Sequence, residues 1–186
     1  IYISGHPLDE YKLEIENFCT CSNAELDAFK NKEVSVAGVV TAVNHRINKK
    51  GNRFGTFTIE DYNSPLHMIL FSEDYLKMRH FLVEGELLFI KGRYQLRWKS
   101  EDEYELRPSS IQLLSDVREK ETKGIVLNVD LNALSESLIN EVTGICSEKG
   151  KYFLNLNVID PTEKSQIHLS SNKLKLDLNE EFVAFV

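Results

Sequence analysis

The chain reads as mainly β with a small α+β part appended, and three features of its sequence predict this. Between Glu33 and Leu114, runs of alternating apolar and polar residues recur at strand length, separated by turn residues. A single helical pattern, Ser72 to Val83, interrupts those runs. Beyond a charged stretch without apolar residues, Arg118 to Lys123, the pattern changes to a strand, a helix and further strands.

The elements follow in order. Ser4, Gly5, His6 and Pro7 form a helix start, with Pro near the first turn and Leu8, Tyr11, Ile15 and Phe18 at helical spacing. Asn23 to Phe29 adds one more helical turn. Strands are expected at Glu33 to Asn44, Phe54 to Ile59, Leu66 to Phe71, Glu86 to Trp98 and Tyr104 to Leu113. In the first, Val34, Val36, Val40 and Ala42 share one face. In the fourth, Leu88, Ile90, Gly92, Tyr94, Leu96 and Trp98 share one face, which predicts Tyr94 and Trp98 in the core. Tyr75, Leu76, Met78, Phe81 and Leu82 suit a helix packed on the sheet. One helix between strands three and four of a five-stranded barrel is the arrangement of the oligonucleotide-binding (OB) fold. An SH3-like barrel or a split sheet shares such strands but carries no full helix at that point.

After the charged hinge, Ile125 to Leu131 reads as a strand and Ala133 to Glu148 as a helix, with Leu134, Leu138, Ile139, Val142 and Ile145 on one face. Gly150 is expected to end that helix with a positive φ. Leu154 to Val158, Gln166 to Leu169 and Lys173 to Leu178 read as strands, and Glu180 to Val186 as a last helix. The expected organisation is a helical lead-in over 1–32, an OB-fold domain over 33–117, a linker over 118–123 and a small α+β domain over 124–186.

Composition sets bounds on function. A net charge of -7 over 186 residues argues against a general nucleic-acid binder. The charge is unevenly spread, however: residues 45–99 carry ten Lys or Arg against six Asp or Glu, and the remainder twelve against twenty-three. Three cysteines, Cys19, Cys21 and Cys146, follow no disulfide or zinc spacing, and no apolar run is long enough to span a membrane. A reduced, cytoplasmic location is expected, with no membrane partner. The first residue is Ile1, not Met, so a fragment of a longer chain is expected.

No Asp-x-Asp pair, P-loop, Gly-x-Ser-x-Gly or His-rich spacing occurs, and His6, His45, His67, His80 and His168 are scattered. No catalytic residue, cofactor or metal site is expected. Binding is the stronger reading. Arg46, Lys49, Lys50 and Arg53 crowd the connection between the first two strands, and Phe54 falls on the face opposite Phe57. Lys91, Arg93 and Arg97 recur on one face of the fourth strand. Such a stripe can track a single-stranded backbone, with Phe54 as a stacking platform. The plainer alternative is a solvated basic face, with Phe54 covering the barrel mouth.

Tyr2-Ile3-Ser4-Gly5-His6-Pro7-Leu8, Val36-Ala37-Gly38-Val39-Val40-Thr41, Lys49-Lys50-Gly51, Thr58-Ile59-Glu60-Asp61, Leu70-Phe71 and Ile90-Lys91-Gly92-Arg93 occur in this order. Together they resemble the C-terminal part of the bacterial replicative DNA polymerase III alpha subunit, a family of DNA-directed DNA polymerases (nucleotidyltransferases) acting in DNA replication. Two positions depart from the family's pattern: Ser64, where Gly is usual, and Asn48, where Thr is frequent. The resemblance implies a segment beyond the helix-hairpin-helix region, without palm, fingers or thumb and so without polymerase activity by itself. It implies a barrel that binds single-stranded template DNA and a last domain that docks the clamp-loader tau subunit, the remainder of the alpha subunit being a further partner. Residues 124–186 resemble that last domain in element order and length, and no residue there is carried over as a tau contact. An anticodon-type RNA-binding module and a purely protein-binding barrel are the alternatives on fold alone.

Overall fold

The computed structural model describes residues 5–147 and 149–185, so Tyr2, Ile3 and Ser4 of the lead-in motif, Glu148 and Val186 lie outside the described residues. The chain divides into two compact units, Ile1–Val117 and Arg118–Val186. The fold is mainly β with α+β.

In the first unit, a 3₁₀ turn at Pro7–Tyr11 leads into α1 (Lys12–Phe18), and a second 3₁₀ segment spans Asn23–Phe29. The barrel strands are β1 (Lys32–Ile47), β2 (Arg53–Glu60) and β3 (Pro65–Phe71), then α2 (Ser72–Met78), β4 (Leu87–Leu96) and β5 (Tyr104–Leu113). All pairings are antiparallel, in the order β3-β2-β1-β4-β5. Alternation dictates the interior: Val34, Val36, Phe57, Ile59, Met68, Leu70, Leu88 and Ile90 are buried in one cluster, with Tyr75, Met78 and Leu82 packed into it from α2 and the turn after it.

The face expected for Ala42 is corrected by a bulge. Val40 pairs with Ile59 but Ala42 with Thr58, so one extra residue reverses the parity of β1. Val34, Val36 and Val40 point inward, whereas Ala42, Asn44 and Arg46 share the outer face with Thr58, Thr56 and Phe54. Trp98 is likewise not a core residue. It lies past the end of β4, in a turn where Lys99 has φ 66°, and is 82% exposed. Tyr94 is partly buried and packs on the barrel core, as expected.

The lead-in covers the outer face of β1 and β4, forming a second core of Leu8, Ala37, Phe89, Leu114 and Val117 against Tyr11, Ile15 and Phe18. The His-Pro-Leu motif has a physical reason. His6 caps the 3₁₀ turn by accepting from the Leu8 amide, while its own amide donates to Asp9 Oδ2 at 2.7 Å. A Cβ on Gly5 would stand 2.3 Å from that same oxygen. Asp9 Oδ1 accepts from Tyr62 at 3.1 Å, and Tyr62 lies against the His6 ring at 4.5 Å, which ties the lead-in to the β2–β3 turn.

The second unit opens with α3 (Val117–Glu121) at its boundary, so most of the segment expected as a linker is helical. Thr122 Oγ1 donates to the Arg118 carbonyl at 2.6 Å. Then come β6 (Ile125–Asp130), α4 (Glu136–Ile145), β7 (Tyr152–Asp160), β8 (Ser165–Leu176) and α5 (Glu180–Phe185). β6 and β7 are parallel, as the crossover through α4 requires, and β8 returns antiparallel to β7. The two strands expected at Gln166 to Leu169 and Lys173 to Leu178 are one strand with a register shift opposite Phe153 and Asn155. Gly150 does not end α4 with a positive φ. The helix stops at Ile145, and glycine at 150 is required by close approach, since a Cβ there would lie 2.7 Å from the Leu176 amide nitrogen. No helix among the described residues is long and apolar enough to cross a membrane.

Candidate nucleic-acid interface

The outer face of β1, β2 and β3 carries three transverse rows. Strand register places Arg46, Phe54 and Phe71 in one row, Asn44, Thr56 and Ile69 in the next, and Ala42, Thr58 and His67 in the third. Residues directly opposite one another in antiparallel strands share a face, so each row presents its side chains together. Phe54 and Phe71 stack with centroids 6.0 Å apart and an interplanar angle of 26°. Phe71 remains 56% exposed, so the pair offers an aromatic surface to solvent. In the third row, Thr58 Oγ1 and His67 Nδ1 are hydrogen-bonded at 2.7 Å.

The β1–β2 turn adds charge at one end of these rows. Asn48 organises it: its Oδ1 accepts from the amides of Lys50 and Asn52 at 2.9 Å each, and Gly51 takes φ 81°. Lys49 and Lys50 are thereby held on an exposed tip. Asn48 thus fixes the turn through its amide side chain, and Ser64, the other departure from the family pattern, needs no glycine geometry because its φ is not positive. Instead Ser64 donates its amide to Asp61 Oδ1 at 2.8 Å.

A groove of about 900 Å³ is lined by His67, Ile69 and Phe71 of β3 and by Trp98, Tyr104 and Arg107 from β5 and the turn before it. Trp98 stands at its rim with Lys99 Nζ 4.4 Å from the ring centroid. Tyr94 and Tyr104 meet at 5.6 Å, and burial together with a hydrogen bond donated to Asp27 pushes the Tyr94 phenol up to about 12. Tyr94 is therefore a neutral donor at physiological pH.

The sequence-expected residues fall into three places. Arg46 and Phe54 are cross-strand partners on the outer face, Arg53 pairs with Ile47 on the opposite face, and Lys49 and Lys50 form the turn tip. Lys91 and Arg93 lie on the outside of β4, opposite Ser35 and Glu33 of β1. Arg97 sits beyond the end of β4 and lines the groove, where it pairs with Glu103 at 3.0 Å and Glu105 at 3.8 Å. Among the described residues, Arg46, Lys49, Lys50 and Arg53 make no ion pair.

The sequence reading gave Phe71 and His67 no place at this face and assigned Trp98 to the core. Phe71 and His67 share a parity opposite to the buried Met68 and Leu70, which is a usable signal once the β2–β3 register is known. Trp98 gives no such signal, because its exposure depends on where β4 ends. No group of three or more side chains able to hold a metal ion occurs among the described residues. Burial pushes Cys19 up to about 12, so its thiol is an unreactive neutral group.

Residues 34–114 match the family of OB-fold nucleic acid binding domains, and residues 125–186 match the C-terminal domain of the DNA polymerase III alpha subunit. The DNA polymerase III subunit alpha of Escherichia coli O157:H7 is 25% identical over 150 residues, 76% of this chain and 12% of that protein. Its counterpart in Borreliella burgdorferi is 35% identical over 94 residues, 50% of this chain and 8% of that protein. The chain thus spans only a small part of the curated relatives it matches. An OBody bound to hen egg-white lysozyme has a similar solved structure, with a TM-score of 0.41 at 22% identity, covering 51% of this chain and 92% of that one.

Proposed function

We propose that this chain, which joins an OB-fold domain to a C-terminal domain of the DNA polymerase III alpha type, binds single-stranded DNA through its barrel as part of a replicative polymerase. The observation that carries this reading is the Arg46, Phe54 and Phe71 row beside the Lys49–Lys50 turn, because it sets an aromatic pair, Phe71 exposed and Phe54 half-buried, next to unpaired cations. Arg46, Lys49, Lys50 and Arg53 neutralise phosphates, Phe54 and Phe71 stack on bases, and Lys91, Arg93 and Arg97 add positive charge along and beyond β4. The second unit docks the clamp-loader tau subunit, a reading supported by the match of residues 125–186. In this arrangement the chain supplies binding, and nucleotidyl transfer is carried out by the rest of the polymerase.

The test is fluorescence anisotropy of a labelled oligo-dT and of an RNA hairpin. With about four phosphates neutralised, the single-strand slope of ~0.7 per phosphate gives a roughly fifty-fold affinity loss from about 50 to 200 mM salt. An Arg46, Lys49, Lys50, Arg53 to Ala variant is expected to lose most binding and most salt dependence. Equal binding by that variant, or a preference for the hairpin, defeats the single-stranded DNA reading. Surface capture of purified tau by the chain tests the second unit independently.

A further inference from the structure

We infer, resting on the docking reading of the second unit, that an extended segment of tau is taken up as a fourth strand along the open edge of β8. The sheet order is β6-β7-β8, so β8 has a strand on one side only. Its first half, Ser165 to Ser170, is exposed throughout, on both faces of the sheet. Successive backbone groups point to alternate edges, so about half of the amides and carbonyls in this stretch project away from β7. Such a row is matched group for group by another extended backbone.

Edges that face solvent in stable folds are blunted by charge, proline or an early bulge. β6, at the other edge, carries Asp130. Ser165 to Asn172 contains no Lys, Arg, Asp, Glu, proline or glycine. Further along, the same edge already accepts a partner. Lys175 exchanges two backbone hydrogen bonds with Ser147, at 2.7 and 3.1 Å, so its backbone groups point away from β7. A bulge in which Ser171 Oγ accepts from the amides of Lys173 and Leu174 separates this closed end from the open one.

The residues around the open edge define the chemistry of its occupant. Ile167 and Leu169 share a face with Val158 and Leu156 and are 60% and 49% exposed. Gln166, His168 and Ser170 share the other face, where His168 Nδ1 meets Asn157 Oδ1 at 2.6 Å. A strand laid beside them is therefore apolar at alternate positions and polar between. Charge sets its ends. Residues 118–186 carry eight Lys or Arg against eleven Asp or Glu, yet 161–176 carry Lys164, Lys173 and Lys175 against Glu163 alone. Lys164 and Lys173, on either side of the open stretch, make no ion pair among the described residues. The segment that fits is uncharged and alternating in its centre, with Asp or Glu at its ends.

Purified tau, captured by the 186-residue chain, is the probe. Ile167→Lys puts a charge beside the edge at a side chain already exposed, and is expected to weaken capture at least about ten-fold, loss of one buried aliphatic side chain being the smallest effect. Ile139→Lys on α4, at a residue 52% exposed, is expected to leave capture unchanged. Docking through side chains alone also responds to Ile167→Lys, so amide hydrogen exchange reads the backbone: tau is expected to slow about half of the amides in Ser165 to Ser170.

Equal capture by the Ile167→Lys variant, or capture that leaves exchange over Ser165 to Ser170 unchanged, overturns strand addition and leaves the docking reading standing. A dimer of the chain alone in sedimentation, lost in Ile167→Lys, assigns the edge to a second copy and overturns it equally. No capture of tau by the parent chain defeats the docking reading itself, and strand addition with it.

Discussion

Replacing Gly92 by Ala probes the wall of the groove through its backbone. Gly92 is buried in β4 at the register shift with β5, and a Cβ there would lie 2.3 Å from the Arg107 carbonyl oxygen and 3.0 Å from the Pro108 Cα. Close C···O contacts settle near 3.3–3.6 Å, so β5 must retreat by about 1 Å. A flexible side chain could rotate away, but these atoms are backbone. The cost therefore belongs at the upper end of overpacking penalties, about 3 kcal/mol. For a unit near 100 residues, about 4 °C of melting temperature is lost per kcal/mol, giving a fall of roughly 12 °C in calorimetry. The same retreat displaces Glu105 and Arg107, which line the groove, so oligo-dT affinity should fall in protein that is still folded at 20–25 °C. A melting temperature within about 2 °C of the parent would refute the close β4–β5 approach and the reasoning built on it.

Other perturbations separate the remaining parts. Leu8→Ala empties a fully buried site in the core beneath the lead-in and should cost ~2–5 kcal/mol in urea unfolding of the first unit. Gly144→Ala, on α4 with open space around the added Cβ, should raise the stability of the second unit by ~0.5–1 kcal/mol. Cys19 has its folded pKa raised by burial to about 12 from the ordinary 9.0. Its contribution to stability is therefore complete below pH 9.0 and is lost as pH rises toward 12, so the urea midpoint should fall across that window and fall less in Cys19→Ala.

Most of the barrel could be read from period-two alternation, because burial on one face forces it. Both ends of β5, at Tyr104 and Leu113, fall where alternation puts them. The helix between strands three and four was equally readable, since Tyr75, Met78 and Leu82 repeat at helical spacing and all reach the core. The bulge in β1 was not. The run Ala37-Gly38-Val39-Val40-Thr41-Ala42-Val43 is apolar on both faces, so nothing in it marks where an extra residue reverses the parity. Gly150 misled for a related reason: its position after a helix matches a cap, whereas the demand for glycine comes from Leu176, distant in sequence.

The bulge is also what completes the site. Without the reversal at Val40/Ala42, Arg46 would project to the barrel interior side along with Val34 and Val36, and its alignment with Phe54 and Phe71 would be lost. An extra residue in one strand thus converts a stretch that alternation assigns to the core into the first column of the exposed rows. The Trp98 reversal has the opposite origin, since alternation simply continued past Leu96, where the ladder ends and Lys99 takes a left-handed φ. Both departures put polar or aromatic groups on the surface at positions where parity assigns core. Ala42 and Asn44 beyond the bulge and Trp98 beyond the ladder all line the same groove, so local breaks in a regular pattern are the features that shape it.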